Sequence, residues 1–305
     1  MGISIFMAWF ACAIVLLGAD SDPALPSPAA HCTAVPTVSG TRWQAESENF
    51  VVTNRHPAQD ARKVAELCED CRTRLQDQWC DCTCQTCGCA SCGCKAWSPR
   101  CQVIVHANQT TYLAAVGSGA GQTFGSSLIK FGASRQVSHR QIDFRGDSQH
   151  GAAALPHEMT HVVLADLLGG CQPPRWADEG MAILADPHNK QQMHLRDVQA
   201  AHARRLAFRA VELITLDRYP HPSRVPAFYG QSASLTAFLV DRDDPATFVS
   251  FLRDAVNQGY DAALREHYDI DNVATLEKLW HEGRSAVQGK VSLAWHHEAN
   301  AGGAE

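Results

Sequence analysis

His157, Glu158 and His161 are the residues of this chain whose types and spacing can do chemistry. They lie in Leu155–Leu168, which is almost wholly apolar up to Asp166 once His157, Glu158, Thr160 and His161 are set aside. Such a run reads as a buried helix. Two imidazoles and a carboxylate inside it cost free energy unless something satisfies them. Positions 157 and 161 are four apart, so on a helix they stand one turn apart on the same face. Glu158 sits one position round from His157, within reach of a ligand held between the histidines. In this H-E-x-x-H arrangement the imidazoles bind Zn2+ and the carboxylate activates its water.

A catalytic zinc takes three protein ligands and keeps a position open for water, so a second element must supply the third. After the first helix Gly169-Gly170 gives a stop. Pro173-Pro174 then suits the start of a new helix over Arg175–Leu184. Glu179 on that helix is the best third ligand, 18 residues beyond His161. It has Trp176, Ala182 and Ile183 three or four positions away, an apolar face on which a carboxylate needs a cation or strong donors. Asp178 points to another side of the helix and Asp186 ends it, so both are less well placed.

His157-Glu158-Met159-Thr160-His161 followed by Trp176-Ala177-Asp178-Glu179-Gly180-Met181-Ala182 resembles the gluzincin metallopeptidases, particularly the small bacterial peptidase-MA-like domains. Those share a thermolysin-like arrangement of two helices beside a sheet. The resemblance is specific over residues 155–184 and looser in the strand–helix order on either side. It implies His157, His161 and Glu179 as Zn2+ ligands, Glu158 as general base and a peptide or protein substrate. It also implies an oxyanion donor, a Tyr or His from the helical half. Tyr229, at a helix start 50 residues beyond Glu179, fits best, with His221 and Tyr219 in reserve. Tyr229 also reads as a half-buried core aromatic. The chain departs from the pattern twice: it carries a cysteine-dense insert, and Ile183 stands one turn after Glu179, where thermolysin has an aspartate.

The remainder of the chain bounds this chemistry. With 305 residues, 45% hydrophobic and 19% charged, it can bury a full core. A net charge of −6 without basic runs argues against nucleic acid as the main partner. Residues 1–19 read as a signal peptide: Ile3–Leu17 is apolar but short for a membrane span, and Leu17-Gly18-Ala19 offers a cleavage point. No positive charge precedes that run, which keeps an uncleaved N-terminal anchor as the alternative. No other segment is long and apolar enough to cross a membrane. Loss of Cys12 with the signal would leave twelve of thirteen cysteines, an even number that suits an oxidising compartment. The expected location is secreted or in the cell envelope (periplasmic).

Residues 20–40, rich in Pro, Ala and Ser, read as a linker, with structure starting near Trp43 and a first strand over Ser47–Thr53. A helix from Pro57 to about Gln78 leads into Cys80–Cys94, which packs seven cysteines into fifteen residues. A disulfide-rich hairpin, a soft-metal thiolate site and a disordered insert all remain open readings of it. Cys171 is a candidate partner for Cys32 or a member of the cluster. Strands are expected at Gln102–His106, Ser126–Phe131 and Gln136–Phe144, with a short helix at Thr110–Val116. The glycine-rich 117–121 lacks a Lys-Ser/Thr ending and reads as a flexible loop rather than a phosphate site. Helices follow at about 190–209, 228–241, 245–257, 260–268 and 273–287, before a disordered tail at 291–305.

Together these features predict an α+β fold over residues 41–290. A mixed sheet with flanking helices is followed by the H-E-x-x-H helix and the Glu179 helix, then by a mostly helical C-terminal half. The expected function is zinc-dependent peptide-bond hydrolysis by a metallopeptidase. Two alternatives accompany it: a non-catalytic zinc-binding relative serving as an interaction domain, and thiolate metal sequestration by the cysteine cluster.

Overall fold

The structure, a computed structural model, describes residues 31–37, 40–56, 60–80, 95–121, 123–133, 135–170 and 172–287. The expected signal peptide at 1–19, residues 20–30 of the expected linker, the cysteine insert beyond Cys80, Cys171 and the expected tail at 291–305 lie outside these described residues. The fold is α+β, with a mixed sheet, flanking helices and a mostly helical C-terminal half. The described residues cluster into two compact units. One runs up to Pro173 and includes Met181–Gln192; the other comprises Pro174–Gly180 and the chain from Met193 onward.

The first unit is built on a six-stranded sheet in the order β1-β2-β3-β4-β6-β5. Its strands are β1 (His31–Thr37), β2 (Gly40–Glu46), β3 (Phe50–Asn54), β4 (Cys101–His106), β5 (Gly125–Phe131) and β6 (Val137–Arg145). β3 and β4, and β4 and β6, are parallel, and the remaining neighbours are antiparallel. From His31 the linker reading is corrected, because β1 pairs with β2 over His31–Glu46. Pro36 disguised this strand: proline lacks the N–H for a ladder bond, yet an edge strand tolerates it.

A parallel β3–β4 pair needs a crossover, and α1 (Ala61–Trp79) supplies it. Asp60 caps α1 by accepting from the Arg62 N–H at 2.9 Å. The helix buries Val64, Cys68, Cys71, Leu75 and Trp79, at the helical spacing visible in the sequence. α2 (Gln109–Val116) follows β4, and α3 (Gln149–Ala153) leads from β6 into α4 (Leu155–Leu167). α1 lies against β2 and β3, α4 lies against β5 and β6, and the two helices pack on each other.

Arg140 of β6 ties α4 to the sheet: its guanidinium pairs with Asp166 and donates to the Pro99 carbonyl at 2.8 Å. α4 ends as expected at Gly169 and Gly170, both at positive φ (61° and 76°). A side chain at Gly170 would also collide with the Arg135 carbonyl.

The second unit is helical. α5 (Arg175–Leu184) and α6 (His188–Ala203) contribute to both units. α7 (Ala210–Ile214), α8 (Val225–Arg242), α9 (Pro245–Gln258), α10 (Tyr260–Tyr268) and α11 (Val273–Val287) complete the second. Its core includes Trp176, Phe228, Leu235, Phe248, Phe251 and Trp280, all essentially inaccessible. The helix expected over 190–209 stops at Ala203, and Arg205 turns left-handed at φ 57°. The Gln231 amide takes both backbone groups of Phe208, at 2.7 and 2.9 Å, and Arg224 holds the Leu206 and Ala207 carbonyls. These tertiary bonds replace the helical ones that the sequence pattern suggested.

Candidate metal centre

α4 puts His157, Glu158 and His161 into the interior, each no more than 8% exposed. One helical turn brings the two imidazoles together, with ring centroids 5.1 Å apart at 78°. α5 brings Glu179, which has no exposed surface at all. One ligand atom from each of His157, His161 and Glu179 falls within 4.8 Å of the others. These three are residues that could hold a metal ion, and Glu158 follows His157 directly on α4.

Asp186 completes the support behind this group. Its Oδ2 lies 3.0 Å from His157 Nδ1 and its Oδ1 accepts from Lys190 Nζ at 2.9 Å. A carboxylate on Nδ1 favours the tautomer whose proton sits there, leaving the Nε2 lone pair for a ligand. Burial works to raise the Asp186 carboxyl, but Lys190 and His157 outweigh it and hold the pKa at about 2. Asp186 is therefore ionised and stands behind a histidine, outside the ligand group. Asp178, also buried, is outside that group too. The orienting aspartate stands seven residues after Glu179 instead of one turn after it. It lies in the bend beyond the end of α5 at Leu184, so no helical spacing marked it in the sequence.

Tyr219, a reserve oxyanion donor in the sequence, donates instead to Glu179 Oε1 at 2.6 Å. Burial, with the Glu179 charge beside it, pushes its phenol far up, so the hydroxyl keeps its proton. The Arg175 guanidinium sits 4.5 Å over the Tyr219 ring. Tyr229, in the second turn of α8, is buried, with its ring 6.3 Å from Tyr219, 6.0 Å from His194 and 5.5 Å from Phe228. These contacts make it part of an aromatic cluster around the tyrosine that holds Glu179. His221 is exposed and uses Nδ1 to cap the turn at Ser223, at 3.3 Å from its backbone N–H.

Two glycines set how close the site-bearing helices come to their neighbours. Gly180, directly after Glu179, packs so tightly on α8 that an added Cβ would lie 2.6 Å from the Ser232 carbonyl oxygen. At the start of β5, a Cβ on Gly125 would lie 2.8 Å from Glu158 Cγ. The Gly125 carbonyl is itself fixed by the buried Tyr112 hydroxyl at 2.7 Å. Glu158 Oε2 has no hydrogen-bond partner among the described residues. A buried carboxylate oxygen without a partner is costly in a folded chain.

The donor set suits a divalent cation. Two imidazoles and a carboxylate are the nitrogen and oxygen ligands typical of catalytic zinc. A second grouping among the described residues, Asp254, Glu266 and His267, is partly exposed, and His267 already pairs with Asp254 at 2.8 Å. Neither grouping contains a cysteine. Cys68, Cys71 and Cys101 are buried free thiols, and burial raises the pKa of each, Cys71 to about 11. No helix among the described residues is long and apolar enough to cross a membrane. No protein-family model matches the sequence, and no curated protein matches it.

Proposed function

We propose that this protein is a zinc-dependent peptidase of gluzincin type, secreted or held in the cell envelope. The observation that carries the reading is the convergence of His157, His161 and Glu179 within 4.8 Å, in a buried setting beside Glu158. Support for the location comes from the apolar run Ile3–Leu17 and the thirteen cysteines. His157, His161 and Glu179 would hold Zn2+, which when bound acidifies water and polarises a carbonyl.

The chain's own residues divide the remaining work. Glu158 takes a proton from the attacking water and returns it to the leaving nitrogen. Asp186 keeps His157 in one tautomer, so the imidazole does not drift between roles. Tyr229 is the proposed hydrogen-bond donor to the tetrahedral oxyanion, placed beside Tyr219 in the cluster next to Glu179. Gly125 leaves room for the Glu158 side chain at the start of the sheet's edge strand.

Metal analysis and a peptide-library cleavage assay on wild type and Glu158→Gln test the proposal together. Wild type is expected to carry one zinc per chain and to cleave peptides. Glu158→Gln should retain zinc and lose at least about 100-fold in rate, the scale of a general base. Zinc without cleavage in wild type would favour the non-catalytic interaction domain, and several soft ions per chain would favour thiolate sequestration.

A further inference from the structure

We infer that Tyr219 is a positioning residue whose hydroxyl holds the Glu179 carboxylate in one orientation; this rests on the metal-centre reading above. Glu179 has three side-chain torsions and is wholly buried, so an unrestrained carboxylate would both cost desolvation and sample several rotamers. The 2.6 Å bond from Tyr219 to Oε1 offsets part of that cost and restricts the rotamer. A hydroxyl donating to a carboxylate at that length is among the stronger hydrogen bonds available.

Tyr219 is in turn clamped by its neighbours. Arg175 lies over one face of its ring at 4.5 Å, and Phe228 meets it edge-on at 5.8 Å and 86°. The same guanidinium reaches the Asp217 carbonyl at 3.4 Å, tying down the loop that carries the tyrosine. Arg175 and Glu179 are four residues apart on α5. The helix that presents the carboxylate therefore also carries the clamp on the residue that orients it. Removing the hydroxyl alone should leave the ring stacked and release the carboxylate.

The test is zinc affinity, measured on the full chain by chelator competition. Tyr219→Phe is expected to weaken Zn2+ binding roughly 10- to 100-fold, as for loss of other groups that orient metal ligands. Its Co2+-substituted form should show an altered visible absorption spectrum. Phe228→Leu loosens the ring packing but keeps the hydroxyl, and should lose less than Tyr219→Phe. Arg175→Gln is the second variant, independent of any folding defect in Tyr219→Phe, and should lose roughly two- to tenfold. Wild-type affinity in both Tyr219→Phe and Arg175→Gln would overturn the inference and leave the metal centre standing. An equal loss in Phe228→Leu would overturn it too, since packing alone would then account for the effect. A wild-type chain that binds no zinc would remove the metal centre itself and this inference with it.

Discussion

Gly180→Ala isolates the contact that places Glu179. An alanine Cβ there would lie 2.6 Å from the Ser232 carbonyl oxygen and 3.0 Å from its carbon, and would collide with Thr236 Oγ1. The threonine hydroxyl can rotate away, but the Ser232 carbonyl belongs to the α8 backbone and cannot. Restoring a separation of 3.0–3.4 Å requires α5 and α8 to part by 0.4–0.8 Å. Overpacking of that kind costs about 1–3 kcal/mol, set against about 1 kcal/mol gained from alanine's better helix propensity. The net destabilisation should be roughly 0–2 kcal/mol, read as a lower urea midpoint at unchanged m-value. The larger effect falls on function, because Glu179 is the adjacent residue and moves with the backbone. A shift approaching 1 Å in a ligand or catalytic group costs on the order of 100-fold, so zinc affinity should fall well beyond what the stability loss implies. Adding Thr236→Ala should recover only part of the loss, since the Ser232 carbonyl remains. A Gly180→Ala protein with wild-type zinc affinity would refute the reasoning that this close approach positions the carboxylate.

Gly125→Ala should act on the general base instead of the metal. Its Cβ would press on Glu158 Cγ at 2.8 Å and Oε1 at 3.2 Å, so peptide turnover should drop about tenfold or more while zinc content stays at the wild-type level. Equal turnover in the two proteins would refute that placement of Glu158. Alkaline stability should report the buried thiols. Burial raises Cys71 from 9.0 to about 11, so the folded state prefers the neutral thiol. Because the folded pKa is the higher one, this contribution is fully present below pH 9 and is lost as pH climbs toward 11. Two pH units correspond to roughly 3 kcal/mol. Urea titrations at pH 8 and pH 11 should show that difference shrinking in Cys71→Ala relative to wild type. An identical pH dependence in both proteins would show that Cys71 ionises freely in the folded state.

Local pattern alone determined a good deal of this protein. The helical spacing of apolar residues, with Pro173-Pro174 before and Gly169-Gly170 after, placed α4 and α5 within a residue of their observed ends, because caps and breakers act over a few residues. The H-E-x-x-H spacing required His157 and His161 to share a face, since a helix fixes the i,i+4 relation without help from the rest of the chain. Most of α8 to α11 was legible for the same reason.

What tertiary structure decided are the relations that cross the sequence. β1 is a strand because β2 offers it a partner, and Pro36 survives there because one side of an edge strand needs no ladder bond. Helical pattern carried α6 too far, and it ends where Gln231 and Arg224, some twenty residues on, take over the backbone groups of 206–208. Asp186 reaches His157 across 29 residues, and Tyr219 reaches Glu179 across 40. Neither pairing has a local signature, because a hydrogen bond between packed elements depends on where folding brings the two side chains and not on their spacing in the chain. The candidate ligand residues could thus be named from the sequence, while the side chains bonded to them became visible only in the folded chain.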